Sequence, residues 1–444
     1  MGRAFGIMGF TLALAATTAA VGSPRNLPKG VWISPVYGYV FSVGDNSTQI
    51  YDVSPAGCVT SDQMSTDAAT ALMGEADVAS NGETATLLRA ATRDGVSKLD
   101  ALPAACATPL KTSDPATNLD VFLKTLDAHY PFFEARHVDW PALEADARRS
   151  LTAGGDLFAV MSTVIRRLND GHVGLDAGTR TIKVDPVVAP GTSPDGLDWT
   201  WKTLRTSLRT HVQGENSYLS APAAVVANNR VMVGRTRDGY GYVAVLAMGG
   251  WADGQTEETP AKEHARTAER ALDDVMTSLG TVKGYIVDLR VNSGGFDSVS
   301  LTLAGRFAAK PTVAYLKTAK GPLGLAPQYP VSIQPGAGAP FTGPVAVLIG
   351  PNTVSAGETA AAAFKSLPNA KLFGMPTRGI LSDAIPKRLP NGWSFTLSME
   401  VTTLPNGTPL EVVGVKPDVV IAPRSTLDWN ADVDAARRWL QTQR

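Results

Sequence analysis

The sequence predicts a layered α/β protein with parallel strands, and three observations carry the prediction. Between Val231 and Pro423, short apolar runs rich in β-branched residues (RVMVGRT, GYVAVLAM, GYIVDLRV, TVAYLK, PVAVLIG, KLFG, WSFTLSMEVTTL) alternate with helical patterns (HARTAERALDDVMTSL, SVSLTLAGRFA, SAGETAAAAFKSL). The chain has 444 residues, too many for one ordinary core, so two or three domains are expected. Its 44% hydrophobic and 18% charged residues are those of a folded soluble protein. A net charge of −1 supplies no general attraction to nucleic acid or anionic membranes, so no nucleic-acid partner is expected.

Residues 1–22 read as a secretory signal peptide. One arginine precedes an apolar run and then small residues, with cleavage expected near Ala20 or Gly22. The alternative is a membrane anchor, but the run is short and no positive cluster follows it. No later segment offers about 18 uninterrupted apolar residues, so no stable membrane span is expected. A periplasmic or secreted location follows from the leader. In such a compartment the two cysteines, Cys58 and Cys106, are expected to be bridged. That loop would contribute about 4 kcal/mol in the chain-entropy model. There is no CxxC motif or Cys/His cluster, hence no structural zinc.

Residues 27–112 read as a small β module: GVWISPVYGYVFSV and STQIYDV are separated by the turn GDN. Residues 116–176 read as a helical domain, because NLDVFLKTLDAHYPFF, WPALEADARRSLTA and LFAVMSTVIRRL carry apolar residues at helical spacing. It ends in NDGHVGL. Residues 177–228 look irregular and are expected to connect domains. The α/β core runs from 229 to 425, and 426–444 form a terminal helix.

Four features in this frame can carry chemistry. Ser355, in NTVSAGE, stands where a strand hands over to a helix, at the carboxyl edge of the sheet. The unpaired amides of that helix start favour negative charge, so the position suits a nucleophile as well as an N-cap. A nucleophilic serine needs a base. Of five histidines, His129, His137, His211 and His264 lie in ordinary helical or irregular contexts, whereas His172 sits in a tight turn able to hold an imidazole against another domain. A turn histidine is the plainer reading. In VDLRVNSGGFD, Gly294 and Gly295 let backbone amides turn into a cleft and bind an oxyanion; the lysine of a phosphate-binding P-loop is missing. Glu411, in PLEVVGVKPDVVI, is expected on a short strand-like segment, as a carboxylate that orients a histidine or as a solvated surface residue.

LNDGHVGL, VDLRVNSGG, NTVSAGE, GMPTRG and LEVVGVKPDV, in this order, resemble the C-terminal-processing (tail-specific) serine peptidase family, which includes tricorn-like and retinoid-binding-protein-like branches. The resemblance implies a crotonase-like, ββα-repeat catalytic core, a peptide or protein substrate and no metal or organic cofactor. It implies Ser355 as nucleophile, His172 as general base, Glu411 as its carboxylate, and an oxyanion hole from the Ala356 amide and one of Gly294 and Gly295, with Gly294 favoured. The Ser-Lys members carry a lysine where Ile380 stands here, so the base falls to His172; Lys387 lies too far along to replace it. The serine that precedes the histidine in tricorn-type sites is Gly171 here, so the link from Glu411 to His172 is open. No PDZ-like stretch is evident. On the same fold, a non-catalytic protein that binds an apolar ligand or peptide is the alternative, and an acyl-CoA enzyme is disfavoured by the leader. Natural substrate, cleavage preference and oligomeric state are not encoded in any readable motif.

Overall fold

A computed structural model describes residues 25–184, 201–215, 217–256, 259–421 and 429–443. The leader read at 1–22 lies outside the described residues. None of the described helices is long and apolar enough to cross a membrane.

The α/β core is built on a seven-stranded sheet. Its order is Ala224–Val226, Val231–Arg235, Gly241–Val245, Tyr285–Asp288, Val345–Ile349, Ala370–Gly374 and Val419–Val420. The first three strands pair antiparallel and the rest parallel. Side chains alternate between two buried faces, as a parallel sheet requires. Val287, Val345, Val347 and Ile349 face the helices Ala261–Leu279, Asp297–Gly305 and Ala356–Lys365. Ile286, Ala346 and Leu348 face Leu204, Leu208, Val433 and Leu440 on the opposite layer.

That opposite layer corrects one expectation. The stretch 177–228, expected to be irregular, contains a 13-residue helix, Trp201–Gln213, which buries Leu204, Leu208 and Val212 at i, i+4, i+8 spacing. Its arginines, lysine and threonines hid a single apolar stripe that the sheet needs as cover.

At the N-terminus, seven antiparallel strands between Gly30 and Leu99 form one sheet, interrupted by the helix Thr66–Met73. Cys58 and Cys106 are joined (Cα–Cα 5.0 Å), fastening the short helix Ala104–Ala107 to the strand Gly57–Ser65. Three helices follow, Pro115–His129, Trp140–Thr152 and Leu157–Leu168. Each starts on an aspartate, Asp114, Asp139 and Asp156, whose carboxylate accepts an amide of the first turn. The third ends at Asn169 in the left-handed region (φ 49°), which turns the chain sharply into Asp170-Gly171-His172. The next strand, Gly174–Asp176, pairs antiparallel with Ser394–Ser398, whose other neighbour is Ala384–Arg388. This small sheet ties the histidine turn to the core.

Candidate active site

The strand Val345–Ile349 is fully buried and delivers the chain to Ser355, the N-cap of the helix Ala356–Lys365. Ser355 is half-buried, with φ 54° and ψ −121°. A non-glycine residue in that region is strained, and such strain is held only where the surroundings fix it. Two neighbours do so. Glu358, one turn along the helix, accepts the Ser355 N–H at 3.1 Å. The same buried carboxylate accepts Thr377 Oγ1 (2.6 Å), Gly379 N (2.5 Å) and Ile380 N (2.9 Å), which anchors the loop 377–380 beneath the serine. Burial raises the Glu358 pKa, against these four donors. On the other side, Val354 N donates to Asn292 O (3.0 Å), and a Cβ placed on Gly294 (φ 85°) would lie 2.7 Å from Ser355 Cβ. Only glycine fits there.

The two glycines differ as donors. The Gly294 N–H is engaged by Asn292 Oδ1 at 2.9 Å. The Gly295 N–H carries no hydrogen bond among the described residues, while its neighbours Gly294 O and Phe296 N are tied to Met248. Ala356 N–H begins the helix and has no acceptor within it. The free amides near Ser355 are therefore those of Gly295 and Ala356, and the preference for Gly294 loses its basis.

His172 lies in the turn after Asn169. Asp170 Oδ1 accepts its backbone N–H at 2.9 Å, a local Asx turn. The ring is half-buried, and its Nδ1 is buried without a hydrogen-bond partner. Burial lowers the imidazole pKa; the charges of Asp170 and Asp383 oppose that, Lys183 adds to it, and the Ser382 backbone approaches the ring. The ring is thus neutral near pH 7, the state a base requires. The loop 379–383 lies between the two candidates. One end is held by Glu358 under Ser355, the other flanks His172.

Glu411 is buried, but not on a strand: it occupies a turn next to Val412 (φ 71°). The strand-like expectation fails because the chain reverses here: Val412 N donates to Gly379 O (2.8 Å) and Gly414 N to Leu410 O (2.8 Å). Glu411 Oε2 accepts Leu381 N (2.8 Å) and Ser382 N (3.1 Å), and Oε1 accepts Arg136 Nη2 (2.9 Å). Among the described residues it makes no hydrogen bond to His172. Burial and the Asp170 charge push its pKa up to about 8, against Arg136.

Other charged groups escaped the sequence reading. Asp170, fully buried, also accepts Tyr130 OH (2.9 Å) and lies 3.4 Å from Arg136. Lys317, buried on the strand Thr312–Gly321, is 2.8 Å from Glu400, 3.5 Å from Asp383 and 3.6 Å from Asp297. Burial and then Lys317 act on Asp383 in opposite senses, and its carboxyl ends at about 2. Thr92 and Tyr37 of the N-terminal sheet reach the same cluster through Asp383 and Glu400. Only Glu358 left a readable trace, as the S-x-x-E spacing of a capping box. Lys387 bonds Tyr37 O (2.5 Å) and faces Asp52 in the β module, away from Ser355. Ile380 donates its amide to Glu358. Among the described residues no group of His, Cys, Asp and Glu is arranged to hold a metal ion.

A strained serine at a helix N-terminus with two free amides beside it suits a nucleophile, and the loop 379–383 touches both the Glu358 that holds the serine and the surroundings of His172. Comparison with known proteins points to a peptidase. Residues 239–421 match the model of peptidase family S41. A curated relative, the chloroplastic carboxyl-terminal-processing peptidase 2 of Arabidopsis thaliana, is 28% identical over 166 residues; the match spans 37% of this chain and 31% of the relative. The solved structure of a candidate peptidase from Parabacteroides merdae ATCC 43184 shares the fold at 22% identity, covering 74% of this chain and 97% of that one, with a TM-score of 0.57. Mature CPAF shares it at 10% identity, with 74% and 95% coverage and a TM-score of 0.50.

Proposed function

We propose, from the S41 match over 239–421, that this chain is a serine-type peptidase whose crotonase-like core carries a Ser-His site. The observation that carries the reading is the Ser355 backbone, held at positive φ between Glu358 and Gly294 at the start of a helix. His172 Nε2 takes the Ser355 Oγ proton as Oγ bonds to the carbonyl carbon of a peptide. The carbonyl π pair moves onto oxygen, which the Gly295 and Ala356 amides stabilise; by precedent, one such donor is worth about 3 kcal/mol in the transition state. The tetrahedral intermediate collapses, the C–N bond breaks, and His172 gives its proton to the leaving amine. The same ring then takes a proton from water as its oxygen bonds to the acyl carbon; the acyl–Oγ bond breaks, the ring returns its proton to Ser355 Oγ, and the acyl group leaves as a carboxylic acid. Every step uses groups of this chain and water.

The substrate is a peptide or protein, met outside the cytoplasm. The Cys58–Cys106 bridge supports that location, because such bonds persist in oxidising compartments. A fluorophosphonate probe tests the site directly. Wild type should label at one residue, Ser355→Ala should not label, and His172→Ala should label at least about 100-fold more slowly. Unchanged labelling of both variants would sink the reading.

A further inference from the structure

Resting on that reading of His172, we infer that Arg136 is a positioning residue for the base: one guanidinium clamps the histidine turn of the helical unit onto the core loop that flanks the ring. Its side chain is 7% exposed. Nη1 donates to Asn169 O at 2.6 Å, the carbonyl that opens the turn. Nη2 lies 3.4 Å from Asp170 Oδ2, whose other oxygen holds the His172 amide. The same Nη2 donates to Glu411 Oε1 at 2.9 Å, and Glu411 Oε2 holds the Leu381 and Ser382 amides. Two chains of contacts therefore leave one planar group and meet again at His172, one through Asn169 and Asp170 at its backbone amide, the other through Glu411 and the Ser382 backbone beside its ring.

The inference explains how Glu411 acts across the gap left by Gly171. It reaches the base through Arg136 and the loop backbone instead of through a side-chain relay. It also accounts for the buried charge. Asp170 and Glu411 lie together around the Arg136 guanidinium, with Tyr130 OH donating to Asp170. A lysine at 136 keeps the charge, but its single ammonium cannot bond Asn169 O and Glu411 in the planar fork.

The test compares wild type, Arg136→Lys and Arg136→Ala by saturation kinetics with a fluorophosphonate probe, alongside thermal melts. Arg136→Lys is the deciding variant, because Arg136→Ala leaves two buried carboxylates unpaired and is prone to unfold. The clamp predicts a folded Arg136→Lys whose maximal labelling rate falls about 10- to 100-fold at an unchanged half-saturating concentration. Added guanidinium ion should restore part of the rate to folded Arg136→Ala and none to His172→Ala. A wild-type maximal rate in either folded variant overturns the clamp. If His172→Ala also labels at the wild-type rate, the base assignment falls instead, so the two failures are separable.

Discussion

Around Ser355, the contacts that fix the backbone come from residues 292–295, 354–358 and 377–380, all within one sheet and its connections. Around His172 they come from a helical unit, the distant strand Ser394–Ser398 that pairs with Gly174–Asp176, and a turn at 411. The serine side is a local backbone device, and a short motif can specify it. The histidine side is an assembly of distant segments, held by buried charge. Perturbing the first should act on the serine and the loop that holds it; perturbing the second should couple chemistry to domain packing.

The largest expected effect sharpens this contrast on the serine side. In Gly294→Ala, the new Cβ would meet Ser355 Cβ at 2.7 Å and Val354 O at 2.9 Å, both in stiff structure. The methyl must displace the serine or the glycine turn that bears the Gly295 amide. We expect the labelling rate to fall by about 10³-fold, of the order of losing an oxyanion donor, with a melting point within several degrees of wild type. Retained activity would mean that the turn is not part of the site.

Glu358→Gln tests the same side for stability. The carboxylate accepts four hydrogen bonds, two on each oxygen. An amide replaces one acceptor with a donor that faces two donors, leaving buried groups unsatisfied. The expected cost is about 3 kcal/mol in urea unfolding, without loss of secondary structure. A shift below about 1 kcal/mol would show that the loop is held by other contacts.

What the sequence disclosed follows the same division. The strand-to-helix site of Ser355, the glycine turn and the tight turn of His172 were legible, because each is set by residues adjacent in the chain. The helix Trp201–Gln213 was not, since its three buried positions are spaced among charged residues and only the sheet beneath them reveals their purpose. Arg136 was invisible for a different reason. It follows YPFFEA on an irregular stretch, and nothing local distinguishes a guanidinium that meets Asn169 and Glu411 from one in solvent. Glu411 could be named from its motif but not given its neighbours. Lys317 reads as an interruption in an apolar strand, and its three carboxylates come from separate elements.

The histidine side is probed by acid. His129 is fully buried where the helical unit meets Val36 and Lys320, with Nδ1 3.1 Å and 3.3 Å from their carbonyl oxygens. Burial lowers its pKa to about 4, Lys387 adds to that, and the two carbonyls oppose it. The folded pKa lies below the unfolded value of about 6.5, so this stabilisation is present above pH 6.5 and lost as pH falls towards 4. Over that window the linkage amounts to about 3 kcal/mol. In His129→Phe, provided it folds, the part of the acid sensitivity that lies between pH 6.5 and 4 should shrink; an unchanged pH slope would assign that sensitivity elsewhere.

The smallest effect concerns the base itself. Burial depresses the His172 pKa, so the neutral ring persists to lower pH than an ordinary imidazole, and the acid limb of the labelling rate should lie below pH 6.5. Lys183 is exposed, and its positive charge disfavours the imidazolium. Lys183→Ala should therefore move the limb to higher pH, and only slightly because solvent screens the pair. The same shift should vanish in 1 M salt, where the Debye length is about 3 Å. Asp383→Asn should move the limb the other way, since the Asp383 charge favours the protonated ring. If neither variant moves the limb and the limb sits at an ordinary imidazole value, the titrating group is not the buried ring at 172, and the histidine side of the comparison loses its chemical role while the serine side stands.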